Sequence, residues 1–338
     1  MLATLASTHS GTTSVRSTNL RVAVNSSYSG KSDLSHGLVL ELTVHSQDFG
    51  QLCETAYRWL TQGAQVASVQ QELDQLTHDR PVSKVGFDSV SDVASRREAG
   101  DLWGYLSVAP VESLNVLYNP FTSRALEWLR ESLTKRPESA GMDVGRYSDS
   151  GEISDSLIRL AVTFDEDLPE YVMLSYFVDE VKLVDSSTAA IEHERLLGVM
   201  EWACREFNVV FGHTSYDRPD RSTEHERFLR GPAPWRNTPN WASMLRGYSW
   251  LTVASADVVR ALGGSGSLRN SGAFVEVAEL PCGSYFLQAT PTYAEYHDER
   301  VLSVYQALQP ALVEGEFRRP SAAPGQPPTH MIIFDEDR

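Results

Sequence analysis

Between Phe211 and Arg246 the chain gathers the side chains best suited to chemistry. The run Gly212-His-Thr-Ser-Tyr-Asp-Arg-Pro-Asp is followed by His225, Arg227, Arg230, Trp235, Arg236, Trp241 and Arg246. A histidine can move a proton near neutral pH, a carboxylate can orient it, and an arginine can clamp an anion. His213, Asp217, Arg218 and Arg246 are therefore the candidate catalytic residues, in a long irregular segment of the kind that carries function on loops. The same residues could equally hydrogen-bond the loop and balance neighbouring carboxylates, because nothing in their spacing dictates a geometry.

Other reaction classes lack their motifs. Gly263-Gly-Ser-Gly-Ser-Leu-Arg-Asn-Ser-Gly resembles a phosphate loop only superficially: it follows a helix and lacks Gly-Lys-Ser/Thr. It reads as a helix C-cap and turn. No Gly-x-Ser-x-Gly elbow is present, and His225-Glu226 continues into Arg-Phe-Leu without the second histidine of a zinc protease. Cys53, Cys204 and Cys282 form no Cys-x-x-Cys pair; Cys53 and Cys204 read as small buried hydrophobes in a reducing compartment. No cofactor is expected.

Charge points toward a partner instead. The formal net charge is −16, and residues 151–206 hold 13 Asp/Glu against 4 Lys/Arg. Such a field disfavours nucleic acid and anionic membrane and would speed encounter with a basic protein; it is equally the charge of a solvated acidic surface that keeps a protein in solution. Asp165, Glu166, Asp167, Asp179 and Glu180, with Trp235 and Trp241, are the candidate partner-binding residues. The N-terminus lacks a basic-then-apolar leader, and no window approaches a membrane span, so a cytoplasmic location is expected.

These groups must be positioned by strands and helices that alternate without a βαβ rhythm. Asn19–Ser26 and Leu38–His45 alternate with period two, as do Ser156–Phe164 and Tyr171–Val178. Asp48 begins a helix with Gln51 in the capping-box position, and Gly63 is expected to end it. Further strands are expected at Asp101–Val108 and Tyr248–Ala254, further helices at Thr122–Lys135 and Thr188–Phe207. The last module comprises a short helix capped by Ser255, a hairpin through Pro281-Cys-Gly, and a helix capped by Asp298.

The stretch 137–153, rich in Gly, Ser and Asp, reads as a boundary. The expected organisation is thus a loose tail over 1–17, an N-terminal subdomain over 18–146, a C-terminal subdomain over 153–313 and an extended tail over 314–338, where 331–334 could add an edge strand. Both halves run strand, strand, helix, excursion, aromatic strand, helix, which suggests an internal duplication. The expected class is α+β, with two similar subdomains, each an antiparallel sheet with helices on one face.

The segment Phe211-Gly-His-Thr-Ser-Tyr-Asp-Arg, followed by Leu245-Arg-Gly-Tyr-Ser-Trp-Leu-Thr-Val, Leu-Gly-Gly, Ser-Gly-Ala-Phe and Leu-Gln-Ala-Thr, resembles an actinobacterial family of uncharacterised proteins. That family is similar to polymorphic-toxin and type VI secretion immunity proteins, and the likeness spans about 155–313. The resemblance implies an α+β protein that binds and neutralises a toxin effector; it brings no catalytic residues. The alternative is an enzyme of unknown reaction, in specialised metabolism for example, with its site in 211–246.

Overall fold

A computed structural model describes residues 37–317 except 69–72, 74–99, 101, 112, 114, 148–152, 180, 185, 217–222, 228, 231–233, 298 and 315. The expected strand Asn19–Ser26, both expected tails beyond these limits, the 331–334 run and the Asp298 cap lie outside the described residues.

The α+β class holds, and the strands are antiparallel. Among the described residues they join in one ten-stranded sheet. β1 (Gly37–His45) lies between β6 (Leu168–Asp179) and β7 (Val209–Tyr216), so the first described strand sits at the centre between two much later ones. On one side β5 (Ile153–Asp165), β4 (Ser139–Tyr147), β2 (Leu102–Ala109) and β3 (Leu117–Pro120) follow β6. On the other, β9 (Leu251–Ala254), β11 (Tyr285–Gln288) and β10 (Glu276–Glu279) follow β7. β8 (Leu229–Arg230) and β12 (Glu316–Phe317) form a separate pair.

Strands of both sequence halves thus share one sheet, where a sheet for each half was expected. The 137–153 stretch is the reason. Ala140, Met142 and Val144 alternate into the core, while Gly141 faces the other way, where a Cβ would come 2.9 Å from Ser107 Oγ. The small residues that read as a linker are those an interior strand needs at a close crossing, and β4 pairs with both β2 and β5.

Leu38, Leu40, Leu42 and Val44 of β1 are at most 2% exposed on the face covered by helices. Helix α1 (Phe49–Arg58) starts at Asp48, whose carboxylate accepts from Gly50 N at 2.8 Å. Gln51 does not complete the box: it accepts from Ser46 Oγ, and Ser46 Oγ satisfies the Asp48 N–H. Gly63 does not end the helix, which continues through a π turn at Trp59–Gly63 into Ala64–Ala67. A Cβ on Gly63 would stand 3.1 Å from Trp202 of helix α3 (Ser186–Glu206), and Trp59 stacks on Trp202 at 6.2 Å. The glycine marks a helix crossing and not a stop. Helix α2 (Ser123–Leu133) is capped by Thr122 and buries Leu129 and Leu133.

The last module forms largely as expected. Ser255 caps α4 (Ala256–Ala261), and Gly263, at φ +89°, ends it. A further helix, α5 (Gly264–Asn270), stands where a turn was expected. α6 (Glu299–Leu308) buries Val301, Val304, Tyr305 and Leu308. The expected strand Tyr248–Ala254 shortens to Leu251–Ala254. The residues before it, Leu245–Trp250, form a fully buried irregular segment that meets the chain again at Leu312.

Candidate functional site

His213 and Arg246, two of the four candidate catalytic residues, come together beneath the surface. Asp217 and Arg218 lie outside the described residues. His213 on β7 sits directly across from Glu41 on β1, and its Nε2 is 3.5 Å from Glu41 Oε1. Arg246 Nη1 approaches the same oxygen at 3.7 Å, and its guanidinium lies over the Phe211 ring at 5.3 Å. Its Nε and Nη2 donate to the two oxygens of Glu226 at 3.0 and 3.3 Å.

Glu226 has a second task. Thr223 and Glu226 form a reciprocal capping box, Thr223 N donating to Glu226 Oε2 at 2.9 Å and Glu226 N to Thr223 Oγ1 at 3.1 Å. Thr223 Oγ1 also reaches Arg246 O, and the approach is so close that a Cβ on Gly247 would fall 2.1 Å from Thr223 Oγ1. The Thr-x-x-Glu spacing was the signal that could have found Glu226. Glu41 had none, because a carboxylate at an outward position of an alternating strand reads as solvated.

Burial works against the Arg246 charge, and the Glu226 and Glu41 carboxylates outweigh it, so the guanidinium stays charged. The carboxylate–imidazole pair is a combination that could move a proton. The side chains of Glu41, His213, Glu226 and Arg246 are nevertheless only 1–4% exposed. What the cluster does in this structure is bind β1 and β7 to Glu226 and to the irregular Leu245–Trp250 segment.

The candidate partner-binding residues divide between two ends of β6. Asp165, Glu166 and Asp167 form the β5–β6 turn, where Asp165 Oδ1 accepts from Asp167 N at 2.9 Å. Asp179 stands at the far end and accepts from Val181 N; Glu180 lies outside the described residues. β6 is 12 residues long, and at about 3.3 Å per residue the two acidic groups are roughly 36 Å apart. An interface including both would run the length of the strand. Trp241 belongs with the first group. Half-buried, it packs on Leu168, Tyr171 and Val210, a small apolar cluster separate from the main core, and on His45 at 6.1 Å. The side chain of Trp235 is outside what is described.

A further row was not foreseen. Tyr105, Asp143, Arg159 and Phe177 are successive cross-strand neighbours on β2, β4, β5 and β6. Arg159 Nε donates to Asp143 Oδ1 at 2.9 Å and its guanidinium lies 4.8 Å from the Phe177 ring centre. Burial raises the Asp143 carboxyl against the opposing pull of Arg159; its side chain keeps 22% exposure, so solvent screens part of that shift.

No protein-family model matches the chain, and no curated protein matches it. Among solved structures there is a likeness to "Pseudomonas aeruginosa T6SS protein PA0821", at 14% identity and a TM-score of 0.47, covering 87% of this chain and 78% of that one. A score of that size does not show a shared fold. Among the described residues no helix is long and apolar enough to cross a membrane.

Proposed function

We propose that this chain is a non-catalytic binding protein, an immunity-type factor that neutralises a toxin effector through an acidic surface. The observation that carries the reading is the end of the sheet at the β5–β6 turn. There Asp165, Glu166 and Asp167 lead into Leu168, which belongs to the small apolar cluster that half-buried Trp241 packs against. An aromatic anchor with carboxylates nearby suits a protein interface for a basic partner, although Arg136 also reaches the turn, its Nη2 donating to Asp165 O at 3.1 Å. The net charge of −16 adds steering at long range, which can raise association rates to about 10⁸ M⁻¹s⁻¹ at low salt. The burial of the His213–Arg246 cluster supports a binding role over a catalytic one.

The test is co-expression with the product of the neighbouring gene, followed by purification and titration calorimetry at low and high salt. A stoichiometric complex that weakens as salt rises is expected. Replacing Asp165, Glu166 and Asp167 together by lysine should abolish it, and binding unchanged by that replacement would sink the interface. The second reading, an enzyme, is favoured by the convergence of Glu41, His213 and Arg246. It requires a substrate to reach them, which His213→Gln tests in any assay where an activity is found.

A further inference from the structure

Arginines in this chain rest on aromatic rings with a carboxylate alongside. Arg130 lies 3.8 Å from the Tyr57 ring centre and donates to Glu54 at 2.7 Å. Arg58 lies over Phe207 and pairs with Glu206. Arg159 and Arg246 repeat the arrangement, on Phe177 with Asp143 and on Phe211 with Glu226. The reason is chemical. A guanidinium is planar and weakly hydrated, so it covers a ring with one face and points its N–H groups at an acid in its own plane.

At the end of the sheet beside the β5–β6 turn the same two groups stand without an arginine. His45, the last residue of β1, pairs with Tyr171 of β6, and their rings lie 5.0 Å apart. Trp241 stands 6.1 Å from His45 and packs against Leu168, Tyr171 and Val210. Glu170 Oε2 is 3.9 Å from His45 Nε2, and the Glu170 side chain is 46% exposed. Trp241 is itself only half-buried, so an open ring and an open carboxylate flank one histidine. Among the described residues no arginine or lysine meets either of them.

Backbone bonds hold these groups in place. Ser46 N donates to Glu170 O at 2.9 Å and His45 N to Asn208 O at 3.2 Å. The Asn208 amide returns a bond to His45 O at 3.1 Å, which laces β1, β6 and the residue before β7 together. Trp241 follows the 3-10 turn Pro234–Asn240, and its N–H donates to Thr238 O at 3.2 Å. Little remains to be ordered when a ligand arrives, which lowers the entropic cost of binding.

We propose, on the binding role inferred above, that Trp241, His45 and Glu170 seat one arginine side chain of the partner protein. The guanidinium lies against the indole and its N–H groups reach the Glu170 carboxylate. An ammonium lacks the plane and is harder to desolvate. An anionic group would meet Glu170 and the three acids at 165–167, in a chain of net charge −16.

The full chain, labelled with 15N, is titrated at low salt with N-acetyl-arginine N-methylamide and with its lysine and leucine counterparts. The Trp241 indole signal, assigned by its loss in Trp241→Leu, is followed by NMR. A shift that saturates is expected with the arginine probe, a smaller one with lysine at the same concentration, and none with leucine. In Trp241→Leu, read at the Glu170 amide, seating should weaken about two- to five-fold. Should that variant fail to fold, Glu170→Gln alters only an exposed side chain and should weaken seating about two-fold or more. Lysine or leucine seating as well as arginine would overturn the proposal, as would a shift that appears on raising the protein concentration alone, which marks a contact between copies. If arginine fails to seat while a co-purified basic partner still binds, the seat falls and the binding role stands. Seating of arginine with no protein partner removes the binding role alone.

Discussion

Arg246 Nε stands 3.0 Å from Glu226 Oε1, and neither side chain is more than 2% exposed. The bond is one tine of a bidentate fork, and the same guanidinium lies 3.7 Å from Glu41 on the central strand. Removing Arg246 leaves two buried carboxylates uncompensated. Arg246→Met is expected to lower stability by about 3–5 kcal/mol, measured by urea unfolding. Adding Glu226→Gln to that variant should recover part of the loss; a double variant as unstable as the single one counts against the charge argument.

Gly247 tests the same region by shape alone. With only 2.1 Å between an added Cβ and Thr223 Oγ1, Gly247→Ala should cost about 1–3 kcal/mol through displacement of the capping box. The expected signature is a lower unfolding midpoint with an unchanged urea slope. Thr223→Gly in the same chain makes room and should return part of that stability.

Acid should destabilise the protein through two buried histidines. Burial lowers His193, and burial also lowers His225 despite the opposing bond to Val313 O and the nearby Glu226. Their folded-state values lie below the unfolded value, so the unfolded chain takes up protons first as pH falls. The stability they contribute is present above about pH 6.5 and is lost on acidification through and below it. In His193→Phe, which keeps a ring against Trp250, the acid limb of a stability–pH curve should flatten relative to the parent.

The acidic turn should separate binding from folding. Lysine at Asp165, Glu166 and Asp167 touches little of the core, and the melting temperature should stay within about 2 °C of the parent, as for exposed surface substitutions. The salt-dependent association with a basic partner should disappear. A large loss of stability would show that the turn serves the fold more than the partner.

Much of the fold was legible because local patterns carried it. The alternation of Leu38, Leu40, Leu42 and Val44, the start of a helix at Thr122, the Ser255 cap, and the helix stop at Gly263 all appear as read. What failed depended on contacts between distant parts of the chain. Gly63 resembles a helix stop until Trp202 is seen to occupy the space a side chain would need, and β4 resembles a linker until Ser107 is seen to crowd Gly141. The candidate catalytic cluster was half legible. His213 and Arg246 lie on one segment, but the carboxylate they share, Glu41, comes from the far end of the described sequence.

The central place of β1 has a consequence for synthesis. Leu38 pairs with Val178 on one side and Tyr216 on the other. Neither partner exists when β1 leaves the ribosome. At about 5–20 residues per second, roughly 10–30 seconds pass before both flanking strands have been made. The β4, β5 and β6 hairpins can zip locally in that interval, while the strand that completes the sheet waits unpaired with an apolar face open to chaperones. Nascent chains stopped before Leu168 should therefore be cut within β1 by protease, and chains extended past Tyr216 should be protected there.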